Sequence, residues 1–285
     1  MSFGMIRFMH KFSIFVLALV LSFNSFARES TLLDSGWKFR LGESTNAEAA
    51  DFSDADWQAV SIPYNWGLEN AQQGKDYYRG PGWYRRELDI TPEAGKRYFL
   101  RFEAASLVAD AYLNGKLLGE HRGGFGAFCF EITTNLSSSG MNLLAVRVDN
   151  TKVPDIAPLS GDFSVYGGLY RPVHLLVTGD ENFAPTDHAS PGVAWLQTSV
   201  SKKQAVLDVT AQISNGAKQK QPLTLVASVF DANGRLVVSN KESIALAPNV
   251  TAPYFLRVTV PKPHLWNGRK DPLSLQDGGG IALGG

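Results

Sequence analysis

Along most of the chain apolar and polar residues alternate with a period of two, in short runs broken by Gly, Pro, Asn and Asp. That rhythm places alternate side chains on opposite faces of extended backbone, so it predicts half-buried strands. The clearest are WYRRELDI from Trp83, RYFLRFEA from Arg97, VADAYLN from Val108, NLLAVRVDN from Asn142 and RPVHLLVT from Arg171. Between the third of these and KLLGEH stands Asn114-Gly115, a dipeptide that accepts positive φ easily and suits a two-residue hairpin. No helical periodicity of comparable strength competes, and the expected class is all-β, built as β-sandwiches.

The alternation lapses in GDENFAPTDHASPG, where two prolines and several polar residues predict a junction, with a linker at 181–192. It resumes in AVLDVTAQISN, PLTLVASVFDANGRLVVS and YFLRVTVPKP, which predict a smaller immunoglobulin-like sandwich over 193–270, without the Cys, Trp and Cys spacing of antibody domains. The tail at 271–285 carries five glycines in its final eight residues, and is expected to sustain neither strand nor helix because each glycine costs backbone entropy.

The first 27 residues follow a different logic. Cations Arg7 and Lys11 precede an apolar run from Phe12, and small residues Ser25 and Ala27 precede Arg28. These are the parts of a signal peptide, too short and wrongly flanked for a stable membrane span. Cleavage after Ala27 would leave 28–180 as the first sandwich of an exported protein, periplasmic or extracellular; a retained anchor is the alternative. The 285 residues suffice for one large or two medium domains. Lys plus Arg and Asp plus Glu both number 27, so no basic excess favours nucleic acid or an anionic membrane surface. Cys129 is the single cysteine; its apolar neighbours in GAFCFEIT predict an inert core thiol, and no disulfide contributes to stability.

Candidate chemistry concentrates in two stretches. In PLSGDFSVYGGLYRPVHL, Pro158 to Leu175, Asp162 sits on a turn beside aromatic residues and the pair Gly167-Gly168. Carboxylates orient sugar hydroxyls while aromatic faces cover sugar C–H surfaces, so the stretch could serve a ligand; Asp162 could equally cap its own turn. In IPYNWGLENAQQGKDYYRGPGWYRR, Ile62 to Arg86, the aromatics Trp66, Tyr77, Tyr78 and Trp83 lie among Asn65, Asn70, Asp76 and Arg79, as a ligand platform or as packing residues. Hydrolysis of a glycosidic bond needs two carboxylates roughly 5 to 10 Å apart, and no spacing here singles out a pair. His121, His174, His188 and His264 form no metal-binding spacing, no G-x-S-x-G elbow is present, and GKDYYRGPG lacks the spacing of a phosphate loop. No metal and no cofactor are expected.

Taken together, DWQAVSIPYNW, DYYRGPGWYRREL, AYLNGKLLGEHRGGFGAFCFEIT, NLLAVRVDN and PLSGDFSVYGGLYRPVHL resemble, in order, the N-terminal sugar-binding domain of family 2 glycoside hydrolases, the β-galactosidase and β-glucuronidase group. The resemblance runs from Leu32 to Val177 and continues through PHLWNGRKDP. It implies a jelly-roll sandwich, then an immunoglobulin-like sandwich, then a TIM barrel holding both catalytic glutamates of a retaining mechanism. A barrel needs ~250 residues, whereas 15 follow Lys270, and the Asn-Glu pair that marks the family's acid/base occurs nowhere in the chain. The expectation is a truncated, non-catalytic N-terminal portion of a β-galactosidase-like enzyme, partnered by a carbohydrate and by a barrel domain or subunit outside this chain. A free-standing carbohydrate-binding module or a scaffold for a separate barrel is the alternative. The resemblance gives Asp162 an accessory role reaching toward the sugar, with Asn65, Tyr78 and Arg79 as further substrate-binding candidates. One departure is that the family's frequent Pro-His-Asp-Trp reads Pro63-Tyr64-Asn65-Trp66 here. The glycine pairs Gly123-Gly124 and Gly167-Gly168 are assigned to backbone turns.

Overall fold

The computed structural model describes residues 28–159, 165–186, 188–231 and 233–265, and the strand backbone at 279–284. The segment read as a signal peptide, and Asp162 itself, lie outside the described residues.

The first sandwich contains β1 (Glu29–Leu32), β2 (Trp37–Leu41), β3 (Gln58–Val60), β4 (Tyr64–Trp66), β5 (Pro81–Asp89), β6 (Lys96–Phe102), β7 (Val108–Leu113), β8 (Lys116–Arg122), β9 (Phe128–Glu131), β10 (Met141–Asp149), β11 (Gly167–Leu169) and β12 (Val173–Gly179), with a short α-helix, α1 (Leu68–Gln72), and a 3-10 turn at Thr133–Asn135. One sheet runs β1-β12-β6-β9 and the facing sheet β3-β2-β5-β10-β7-β8, while β11 and β4 form a two-stranded ribbon. This is the jelly-roll sandwich. Its core lies between the sheets, where Trp37, Phe39, Tyr84, Leu100, Phe102, Leu144, Val146 and Val148 interdigitate. The β7–β8 hairpin turns at Asn114 and Gly115, whose φ of 53° and 79° match the right-handed strand twist that a two-residue turn must follow.

Strands β5 and β10 are buried on both faces. Their inner residues enter the core; their outer face is roofed by residues 42–57, which drop Ala47 and Trp57 onto Trp83 and Ala145. Arg85 holds that roof. It is 2% exposed, donates to the carbonyls of Ala47, Ala49 and Phe52, and pairs through Nε with Asp54 at 2.9 Å. Burial pushes the Asp54 carboxyl up, but hydrogen bonds from Lys38 and Arg85 outweigh it and hold the group below its ordinary value.

The second, immunoglobulin-like sandwich contains β13 (Glu181–Phe183), β14 (Val193–Val200), β15 (Gln204–Asn215), β16 (Gln221–Phe230), β17 (Leu236–Leu246), β18 (Val250–Pro261) and β19 (Gly279–Gly284). In one sheet β15 pairs with β13, β14 and β18; the other runs β17-β16-β19. Val209, Ile213, Leu225, Ile244 and Val258 form a separate core. Within the described residues β14 pairs with β15 alone, and Trp195 and Leu196 on it are 61% and 66% exposed.

Three expectations are corrected. The tail does carry a strand, because β19 pairs antiparallel with β16 from Thr224↔Gly284 to Val229↔Gly279 and ladder bonds need no side chain. The stretch expected as a linker opens with β13, which pairs with β15, and later seats Ala189 on the first sandwich. Gly167 and Gly168 are strand residues of β11 rather than turn residues: a Cβ on Gly167 would overlap the Trp66 ring, and one on Gly168, where φ is 118°, would strike the Tyr84 hydroxyl.

Candidate functional site

The run from Tyr77 into β5, the ribbon of β4 and β11, and the segment that follows β10 converge on one buried side chain, Asn150. Its Oδ1 accepts from the Gly80 amide at 2.9 Å and from Trp66 Nε1 at 3.3 Å, and its Nδ2 donates to the carbonyls of Val165 at 3.1 Å and Tyr78 at 3.3 Å. A side-chain amide with two donors and two acceptor lone pairs is thereby saturated, and three separate stretches are tied to one point.

Around that knot stand the residues singled out from sequence. Tyr78 is 41% exposed; Arg79 is also exposed and donates to the Asn150 carbonyl at 3.4 Å and to the Tyr77 hydroxyl at 2.9 Å, with its guanidinium 5.1 Å from the Tyr77 ring centre. The Tyr77 hydroxyl also accepts from the Val165 amide at 2.9 Å, and the Tyr77 and Tyr166 rings lie 6.1 Å apart. Asn65 lies on β4 opposite Gly168, and its Oδ1 is buried without a hydrogen-bond partner. Tyr78 and Arg79 therefore share one wall, and Asn65 lies on the adjoining ribbon. Asp162 lies beyond the described residues, but Val165, three positions on, is anchored to both Asn150 and Tyr77. Trp66 and Trp83 are packing residues, 7% and 3% exposed.

The electrostatics beside Tyr78 come from a group not singled out in the sequence. Arg147 on β10 contacts Glu43 at 2.9 Å, Asp149 at 3.0 Å and Asp110 at 3.8 Å, and Trp83 Nε1 donates to Glu43 at 2.8 Å. Burial pushes the Asp110 carboxyl up, with Glu120, Asp149 and Glu43 adding to the rise and Arg147 opposing it. Burial, then Asp149 and Glu43, likewise raise the Tyr78 phenol, which stays protonated and able to donate. One arginine thus contacts three carboxylates and offsets part of their charge, an arrangement suited to holding a surface in shape and to presenting polar groups. Among the described residues no three His, Cys, Asp or Glu side chains converge on a metal position. Nothing in the sequence marked Arg147 or Asn150 out, since NLLAVRVDN reads as a strand that ends on polar residues.

Residues 30–179 match the family model described as the sugar binding domain of glycosyl hydrolases family 2, and residues 193–273 match a second model of that family. The chain belongs to glycosyl hydrolases family 2. Among its family 2 relatives, a β-glucuronidase of Bacteroides fragilis is 38% identical over 268 residues, which are 93% of this chain and 37% of that protein. A β-galactosidase of Bacteroides ovatus is 29% identical over 249 residues, 84% of this chain and 28% of that one. The crystal structure of a Bacteroides uniformis β-glucuronidase superimposes with a TM-score of 0.80 at 38% identity, covering 84% of this chain and 29% of its own. This family 2 chain therefore spans little more than a third of the first relative and under a third of the other two.

Proposed function

We propose that this chain supplies the sugar-facing and spacer sandwiches of an exported family 2 β-glycosidase, and that bond cleavage belongs to a region outside these 285 residues. The observation that carries the reading is that both matched modules together account for only 28–37% of the curated relatives. The arrangement of carboxylates supports it, since Glu43, Asp110 and Asp149 all face Arg147. In this reading Asn65, Tyr78 and Arg79 form the wall that meets the glycoside, Asp162 is the further residue that reaches toward it, and Asn150 keeps that wall in register.

The test is the purified chain with nitrophenyl β-glucuronide and β-galactoside, in parallel with calorimetric titration of the unreactive sugars. No nitrophenol release is expected from the chain alone. Release that survives rigorous purification would overturn the assignment of chemistry to another region. A sugar affinity that is complete in the isolated chain and lost in Arg79→Ala would instead support the free-standing binding module. N-terminal sequencing of the secreted product is expected to begin at Arg28.

A further inference from the structure

Along β6 the side chains alternate, with Tyr98, Leu100 and Phe102 in the core and Arg97, Phe99 and Arg101 on the opposite face. In an isolated sandwich that opposite face would meet water. Here Phe99 is 2% exposed and Leu176 is 4% exposed, because Ala189, itself 4% exposed, packs against them and Cys129. Three guanidinium groups frame this apolar centre. Arg28 Nη2 donates to the Phe183 carbonyl at 2.5 Å, Arg101 Nε donates to the Ala189 carbonyl at 3.1 Å, and Arg97 Nη1 donates to Ser214 Oγ at 2.8 Å.

We infer that this sheet face is a built interface that makes the two sandwiches a single cooperative unit, with Arg97 as its clamp. Arg97 is fixed from the first sandwich by a two-pronged pair with Glu131, Nε to Oε1 at 2.9 Å and Nη2 to Oε2, and lies over the Phe99 ring at 5.7 Å. Its remaining nitrogen reaches Ser214 on β15, whose hydroxyl also meets Thr251 on β18 at 3.0 Å. Gly216 closes over it: a Cβ there would lie 2.9 Å from Arg97 Cδ and 3.1 Å from Nη1. The backbone repeats the connection, with the Gly216 amide donating to Asp180 at 2.8 Å and the Asp180 amide to Gly95 at 3.0 Å. A planar fork held on both sides loses little freedom on binding, so its bond across the interface is stronger than a flexible ammonium could make. Two domains joined by a short segment otherwise move relative to each other by default.

Differential scanning calorimetry of the whole chain, read together with small-angle scattering and limited proteolysis, tests this. The unaltered chain is expected to melt in one transition. Arg97→Met keeps the stem and removes the fork; it is expected to split the transition in two, enlarge the radius of gyration and raise cleavage within 184–192 at least tenfold. Ser214→Ala, which spares the Arg97–Glu131 pair, and Gly216→Val, which displaces the arginine, are expected to split it as well, and they decide the matter if Arg97→Met does not fold. Lys96→Met, next along the strand, is the control expected to melt as the parent does. Two transitions in the unaltered chain, or a single transition merely lowered in all three interface variants, would overturn the inference.

Discussion

Replacing Asn150 with alanine removes at one stroke the side chain to which the Tyr78–Gly80 run, Trp66 and Val165 are all bonded. The bonds from Gly80 at 2.9 Å and to Val165 at 3.1 Å are well made, while those involving Trp66 and Tyr78, both at 3.3 Å, are longer and weaker. A buried group left without a partner costs about 1–3 kcal/mol. Gly80 and Val165 are both buried, so the two well-made bonds at about 1–1.5 kcal/mol each amount to about 2–3 kcal/mol, and the longer pair at about 0.5 kcal/mol each brings the expected loss to about 3–4 kcal/mol. Set against a total stability of about 5–15 kcal/mol, that is a large fraction. With a urea slope of about 2 kcal/mol per molar, the midpoint should fall by roughly 1.5–2 M, followed by tryptophan fluorescence. Asn70→Ala is the matched control: Asn70 is exposed, makes one side-chain bond, to the Asp76 carbonyl at 3.2 Å, and should shift stability by less than about 0.5 kcal/mol. An Asn150→Ala loss no larger than that of Asn70→Ala would refute the idea that this amide organises the site.

Two further outcomes follow from local geometry. Gly167→Ala should cost about 2–3 kcal/mol by driving a methyl into Trp66, whereas Gly126→Ala, with nothing within 4 Å of the added carbon, should be close to neutral in the same urea titration. Burial pushes the Cys129 thiol up from 9.0 to about 12. At pH 8 its thiolate should be scarce enough that alkylation of the native protein runs on the order of a thousandfold slower than after unfolding. Because the folded value is the raised one, the associated stability is complete below the unfolded thiol's pKa and is lost as pH climbs from about 9 toward about 12. Cys129→Ala should remove that decline, by about 1.4 kcal/mol per pH unit within the window, measured as the difference in urea midpoint between pH 8.5 and pH 11.

Strands with one drier face were readable from their alternation, whereas β5, β6 and β10, covered on both sides, were readable as short apolar-rich runs bounded by turn residues. VADAYL shows its period of two directly, and β7 buries Ala109, Ala111 and Leu113 in alternation. Asn114-Gly115 was equally plain, since positive φ at two successive positions suits few other residue pairs. The roof formed by 42–57 left no periodic trace, because its cohesion lies in carbonyls pointing at Arg85, and carbonyls are common to every sequence. Gly167 and Gly168 were misassigned because a glycine chosen for close approach and one chosen for a turn look alike in sequence. The tail was misassigned because the entropy cost of glycine is local, whereas the ladder that offsets it comes from β16, about fifty residues earlier in the chain. Of the candidate wall, Tyr78 and Arg79 were legible as polar and aromatic residues in a loop, but Asn150 and Arg147 read as the ordinary end of a strand. Arg97 read as one more charged position on a wet face, and only the fold shows that face to be covered.

One side of β14 has no pairing strand among the described residues, which bears on how the protein is handled. Its sequence, VAWLQTSV, contains no charge and no proline, the two features that usually keep exposed sheet edges from recruiting a neighbour. Among the described residues no strand takes up the backbone amides and carbonyls on that side, and Trp195 and Leu196 stand exposed on opposite faces beside it. Association that rises with concentration, without unfolding, is the expected outcome, and light scattering across a dilution series checks it.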